Sequence, residues 1–185
     1  LIPRDFSFMP ANPFGNLSPA AHALNLNPSQ RQFLSGSSKP FGAPSIQGTG
    51  VLLDVAKIEA AGGKVISLAE LAADLERFAG QNPAARTQVD RLLWAIKKVE
   101  GEVLVTGGAP RGSGTKLSTP HTAYVRSAED LWQAFTSGKL SKAELEQGLA
   151  NLEKAYSKAK VVGKVGRVLS VVGIVFTAAD LAVAT

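Results

Sequence analysis

From Thr49 onward the apolar positions fall into short periodic runs that predict a string of helices with a few strands. Val51, Leu52, Val55 and Ile58 recur at helical spacing and stop at Gly62-Gly63, which predicts a first helix. Lys64-Val65-Ile66 predicts a short strand. Ser67-Leu-Ala-Glu70 has the form of a capping box, with Leu71, Leu75 and Phe78 on one face and Gly80 as the stop. Asn82-Pro83 opens a third helix, because Pro is tolerated where the first N–H groups have no partner. Its apolar face is Val89, Leu92, Leu93 and Ile96. Glu100-Gly-Glu-Val-Leu-Val105 predicts the clearest strand, Gly107 to Gly114 a loop, and Thr122-Ala-Tyr-Val125 a second strand of a small antiparallel ribbon. Ser127 and Asp130 frame the start of another helix, which Gly138 ends. Ser141-Lys-Ala-Glu144 repeats the capping-box form. Leu145, Leu149, Leu152 and Tyr156 then make a narrow seam suited to an antiparallel helical hairpin.

The two ends follow other rules. Residues 1–48 carry Pro3, Pro10, Pro13, Pro19, Pro28, Pro40 and Pro44, interspersed with Phe6, Phe8, Phe14, Phe33 and Phe41. A flexible linker is poor in aromatics, so the pattern predicts an extended arm that lies in grooves, with short helical turns at Ser18–Leu26 and Pro28–Leu34. At the other end, Gly163, Gly166 and Gly173 interrupt a run of Val, Leu, Ile and Phe. Glycine costs roughly 1 kcal/mol against Ala in a helix, so these positions predict a helix that packs closely or bends. Its uncharged stretch, Val168 to Ala179, is shorter than the ~20 residues a bilayer span needs. The expected fold is mainly α with a small antiparallel β ribbon (α+β). The expected organisation is an arm over 1–48, a helical domain with the ribbon over 49–138, and a helical hairpin over 139–185.

Composition narrows the chemistry. Aromatics are only 6% against 45% apolar residues, so Ala, Leu and Val must build the core. With no Cys, disulfides, thiolate metal sites and Cys nucleophiles are excluded, and His22 and His121 alone cannot make a His-rich metal site. The formal charge of +5 permits anionic partners without demanding them. No charged segment precedes an apolar core at Leu1-Ile-Pro-Arg, so this is not a signal peptide; with no initiator Met and no cap at the far end, both termini are expected to be cut from a longer chain.

Four groups could carry function. Glu100 and Glu102, two apart on a strand, should share a face, one to orient a hydroxyl and the other to stabilise a developing cation. The competing view is an edge strand with a solvated acidic face. Arg111 and Lys116, in the glycine-rich loop, could help backbone N–H groups cradle phosphate, although the order Gly114-Thr-Lys transposes the P-loop sequence. His121 is the best general-base candidate of the globular part, with Ser113 and Asp130 or Glu129 as nucleophile and orienter. Lys158, Lys160, Lys164 and Arg167, with Lys154, precede the apolar segment bearing Phe176, a pattern that suits an anionic membrane or a partner surface. No nucleic-acid module is visible.

Two resemblances follow from these residues. Glu100-Gly-Glu102-Val-Leu-Val resembles the acidic strand of ADP-ribosyltransferases, which implies NAD as a substrate. That family places a Ser-Thr pair before the acidic strand, whereas Ser118-Thr119 comes after it, and no upstream strand with an NAD-binding Arg stands out. The segment Ala159 to Asp180, with Thr177 and Asp180 in a Thr-x-x-Asp pattern, resembles the C-terminal regions of bacterial polymorphic toxins, including secretion-delivered Rhs-repeat effectors. This resemblance implies a secreted toxin delivered into a competing or host cell, a cognate immunity protein, and the delivery shell of a parent chain. A membrane-active module and a non-catalytic helical interaction domain are the alternatives.

Overall fold

The structure, a computed structural model, describes residues 8–10, 12, 14–45, 51–159 and 168–171. Among the described residues, six short strands form one sheet: β1 (Phe33–Ser37), β2 (Val51–Asp54), β3 (Val65–Ile66), β4 (Glu102–Thr106), β5 (Gly114–Lys116) and β6 (Val168–Val171). Their order is β3-β4-β1-β6-β2-β5, and every pairing is antiparallel. Six α-helices accompany them: α1 (Pro19–Ala23), α2 (Val55–Ala60), α3 (Leu68–Gln81), α4 (Arg86–Trp94), α5 (Thr119–Thr136) and α6 (Lys142–Ala159). The class is the mainly α, α+β arrangement expected, with a wider sheet than a ribbon.

The capping signals hold in detail. Ser67 Oγ accepts the Glu70 N–H while the Glu70 carboxylate accepts the Ser67 N–H, and α3 buries Leu71 and Leu75. Ser141 and Glu144 repeat the exchange at α6. Val89, Leu92, Leu93 and Ile96 are all buried. The helix α4 runs on as a π-helical turn, Ala95–Glu100, which Gly101 ends at φ +61°.

Four expectations need correction. Val51 and Leu53 alternate inward as strand β2, and the helix begins only after Asp54, whose carboxylate accepts the Ala56 and Lys57 N–H groups. Thr122–Val125 belongs to α5, because Ser118 caps that helix eight residues or so ahead of the start expected near Ser127. The partners of β4 are therefore β1 and β3. Val168–Val171 forms β6 rather than helix and bridges β1 to β2, so the sheet is continuous through it. The rest of the glycine-spaced segment lies outside the described residues. The Pro/Phe-rich arm supplies α1, within the helical turn expected at Ser18–Leu26, but the turn expected at Pro28–Leu34 is helical only over Pro28–Gln30 and gives way to the interior strand β1.

Three apolar clusters hold these parts together. Ala20, Leu24 and Phe33 pack with Leu71, Leu75, Leu92 and Leu104, so α1, α3 and α4 cover one face of β1 and β4. Val51, Leu53, Val55, Ile58, Val103 and Val105 form a second cluster. The α5–α6 hairpin closes over Phe41 and Val99 through Trp132, Phe135, Leu145 and Leu149. Gly148 makes its close approach possible, since a Cβ there would sit 3.0 Å from Leu131.

Candidate functional site

Antiparallel register puts Ser37 opposite Glu102 and Ser35 opposite Leu104. Directly opposed residues share a face, so Ser35, Ser37 and Glu102 lie together beneath α1, α3 and α4. Glu102 is 1% exposed. Burial pushes its carboxyl up from 4.5 to about 7, and a hydrogen bond with the Ser35 side chain partly opposes that shift. Its Oε2 has no hydrogen-bond partner. On the other side of Ser35, His22 Nε2 lies 3.1 Å from Oγ. Burial, assisted by the Arg31 charge, pulls the His22 imidazole down to about 4, so it is neutral at physiological pH.

Local sequence explains why these groups meet. Ser18 accepts the Ala21 N–H and Pro19 opens α1. Asp74 of α3 then accepts the Ala20 N–H at 2.8 Å, fixing this five-residue helix over the sheet. The His22 ring stands edge-on to Phe33, centroids 5.4 Å apart. Ser37 is a structural staple: its hydroxyl lies 3.0 Å from the Gly42 carbonyl and 2.5 Å from that of Glu100 and accepts the Lys39 N–H. Ser35, half-buried, lies instead between His22 and Glu102.

Glu100 and Glu102 do not share a strand. Glu100 ends the π-helical turn, and the left-handed Gly101 separates it from β4. Its side chain is fully buried, with Oε1 accepting the Ser45 N–H at 3.3 Å, so it braces the loop after β1. Neither is β4 an edge strand with a solvated acidic face, since it lies between β3 and β1.

The other expected site residues lie elsewhere. His121 is 1% exposed; its Nε2 donates to the Pro40 carbonyl at 2.5 Å and its Nδ1 accepts from Tyr156 at 3.2 Å. With both nitrogens occupied and burial lowering its proton affinity, it is a clamp between α5, α6 and the β1 loop rather than a free base. Ser113 is buried and donates to the Pro110 carbonyl. Arg111 and Lys116 are exposed at β5, the sheet edge farthest in strand order from β4. Lys158 is exposed on the last turn of α6, while Lys160, Lys164, Arg167 and Phe176 lie outside the described residues. A cleft of about 420 Å³ between the π-helical turn and α6 is lined by Lys97, Lys98 and Lys39, the last paired with Glu153 at 2.8 Å.

Among the described residues no group of His, Asp and Glu is placed to hold a metal ion, and no helix is long and apolar enough to cross a membrane. Composition and the periodic pattern did not single out Ser35 or His22 as a site. Phe33-Leu-Ser-Gly-Ser37 has no alternation to mark it as a strand, so only register reveals it. No family model, curated protein or solved structure matches the chain.

Proposed function

We propose that the chain is the effector region of a secreted bacterial polymorphic toxin of the Rhs type, acting inside a competing or host cell, and that it transfers ADP-ribose from NAD. The observation that supports this best is the register of β1 on β4, which sets Ser35 diagonally across from Glu102 on one sheet face. It places a serine-bearing strand ahead of the acidic strand and against its second glutamate. Only the place of a serine ahead of Glu102 accords with the transferase resemblance: Phe33–Ser37 carries no Ser-Thr pair, and Glu100 lies outside the strand.

In this reaction the bond between nicotinamide and ribose C1′ breaks, and nicotinamide leaves with the bonding electrons. The ionised form of Glu102, accessible because burial holds its carboxyl at about 7, stabilises the positive charge that develops on the ribose. An acceptor hydroxyl or amine then attacks C1′ and gives up its proton to solvent or to the carboxylate. Ser35 fixes which carboxylate oxygen faces the sugar. The partners this reading carries are an immunity protein, acidic to complement the +5 charge, and the delivery shell of the parent chain.

The test is nicotinamide release from NAD by the purified full chain, with water as the acceptor, alongside growth arrest on expression in bacteria. Release and arrest that both disappear in Glu102→Gln are expected. Undiminished toxicity in that variant, at equal soluble expression, overturns the assignment.

A further inference from the structure

We propose that His22 is a positioning residue that acts through Ser35 to aim the Glu102 carboxyl. The inference rests on the transferase assignment for its effect on turnover, but not for its effect on Glu102 itself.

A neutral imidazole carries one N–H and one acceptor nitrogen. His22 is neutral, and its two nitrogens differ sharply: Nε2 faces Ser35 Oγ at 3.1 Å, whereas Nδ1 is buried without a partner. A buried N–H without an acceptor is the costlier orphan, so the proton sits on Nε2 and is donated to Ser35. Ser35 has one proton of its own. With its oxygen already accepting from His22, that proton is turned to the remaining neighbour, the carboxyl of Glu102. The outcome is a directional chain, His22 N–H to Ser35 O–H to Glu102, which holds one carboxylate oxygen and leaves the other, Oε2, unpartnered.

The surroundings are built to keep this order. The α1 helix is too short to hold itself, and Asp74 and the buried Ala20 and Leu24 fix it in place. The partly buried charged groups on the covering helices include Asp74 on α3, already paired with Arg77, and Arg91 on α4. Arg31, ahead of β1, adds a positive charge that further disfavours a protonated His22. A protonated imidazole would still donate through Nε2. Keeping it neutral avoids placing a cation beside the carboxylate and so keeps Glu102 poised near neutrality.

The experiment follows the side-chain carboxyl resonances of the full chain, labelled with carboxyl-¹³C glutamate, as pH is varied. In the parent, Glu102 should titrate near 7. His22→Phe keeps an edge-on aromatic beside Phe33 but removes the donor, so the Glu102 midpoint should move up. His22→Gln, which restores an N–H, should bring it back toward the parent value. Ser35→Ala should raise the midpoint as well, and adding His22→Phe to it should produce no further shift, because the effect of His22 passes through Ser35. Nicotinamide release should fall about tenfold to a hundredfold in His22→Phe and recover in His22→Gln. An unchanged midpoint in folded His22→Phe, or additive shifts in the double variant, overturns the proposal. If the midpoints behave as stated but no variant, nor the parent, releases nicotinamide, the positioning role stands and the transferase assignment falls.

Discussion

The two histidines of this chain are both buried, and they sit in regions with opposite polar accounts. Around His121 every polar atom of the ring is matched: Pro40 takes its N–H, and Tyr156 donates to the other nitrogen. The same hairpin pairs Trp94 Nε1 with Glu146 at 2.7 Å and lays Lys142 over the Trp94 ring. Around His22 the matching stops short, since its own Nδ1 and Glu102 Oε2 are left without partners. An unmatched buried polar atom costs stability, roughly 1–3 kcal/mol. Two such atoms lie on one sheet face beside a carboxyl held near neutrality, and on the proposed reading that β1–β4 seam is the site and the hairpin its support.

The largest expected contrast is in catalysis. Glu102→Gln keeps the shape and removes the charge, so nicotinamide release should fall on the order of a hundredfold to ten-thousandfold, the range typical when a single catalytic proton or charge carrier is lost. Glu100→Gln, by comparison, alters a residue that braces Ser45 and should leave the rate per folded molecule nearly unchanged. Equal losses from the two would erase the distinction between the seam and its surroundings.

Next in size are two pH dependences of opposite sign. Glu102 has a folded pKa of about 7 against an ordinary 4.5, so the native state holds the extra proton and stability falls as pH rises between those values. His22 has a folded pKa of about 4 against 6.5, so the native state lacks the proton and stability rises with pH over that window. Each amounts to up to about 3 kcal/mol, and between 4.5 and 6.5 these two contributions nearly cancel, while the lowered proton affinity of His121 adds a rise with pH common to all three proteins. Against the parent's slope, denaturant titrations should show a decline with rising pH in His22→Gln and an increase with rising pH in Glu102→Gln. Parallel slopes in all three would show that neither group is buried as described.

How much of this was legible in the sequence depends on whether the signal is local. Capping boxes at Ser67 and Ser141 and the 3.6-residue seam of Leu145 and Leu149 are written within one helix, and all are present. Strand partners are not local. Thr122–Val125 has the β-branched and aromatic residues of a strand, but Ser118-Thr119-Pro120 is a stronger helix start, and it wins. Of the strand expected at Glu100–Val105 only Glu102 onward is strand, and its partner was hidden: Phe33–Ser37 has only five residues inside a proline-rich segment, and nothing nearby marks it as interior. The candidate site takes shape only once register sets Ser35 and Glu102 on one face, which is information that neither segment contains alone.

The hairpin clamp should cost stability without costing chemistry. His121→Phe fills the space but strands the Pro40 carbonyl and the Tyr156 hydroxyl, so unfolding free energy should drop by about 2 kcal/mol. The rate of nicotinamide release per folded molecule should hold. A loss of rate with unchanged stability would return His121 to the list of catalytic residues and take the division between the two regions with it.

The smallest effect is the cleanest control on that division. Ser141 caps α6 through its hydroxyl, which accepts the Glu144 N–H at 3.2 Å, while the Glu144 carboxylate, held below its ordinary range by the same exchange, accepts the Ser141 N–H at 2.6 Å. Ser141→Ala removes one half of the box and leaves a helix N–H to water, a loss of about 1 kcal/mol. Because α6 packs on α5, Phe41 and Val99 rather than on α1 or Ser35, that loss should appear as a lower denaturation midpoint with the slope unchanged. The Glu102 carboxyl should titrate where it does in the parent. A shifted Glu102 midpoint in this variant would mean that the hairpin and the seam move as one unit, and that the seam's poise is set by the whole fold rather than by His22 and Ser35.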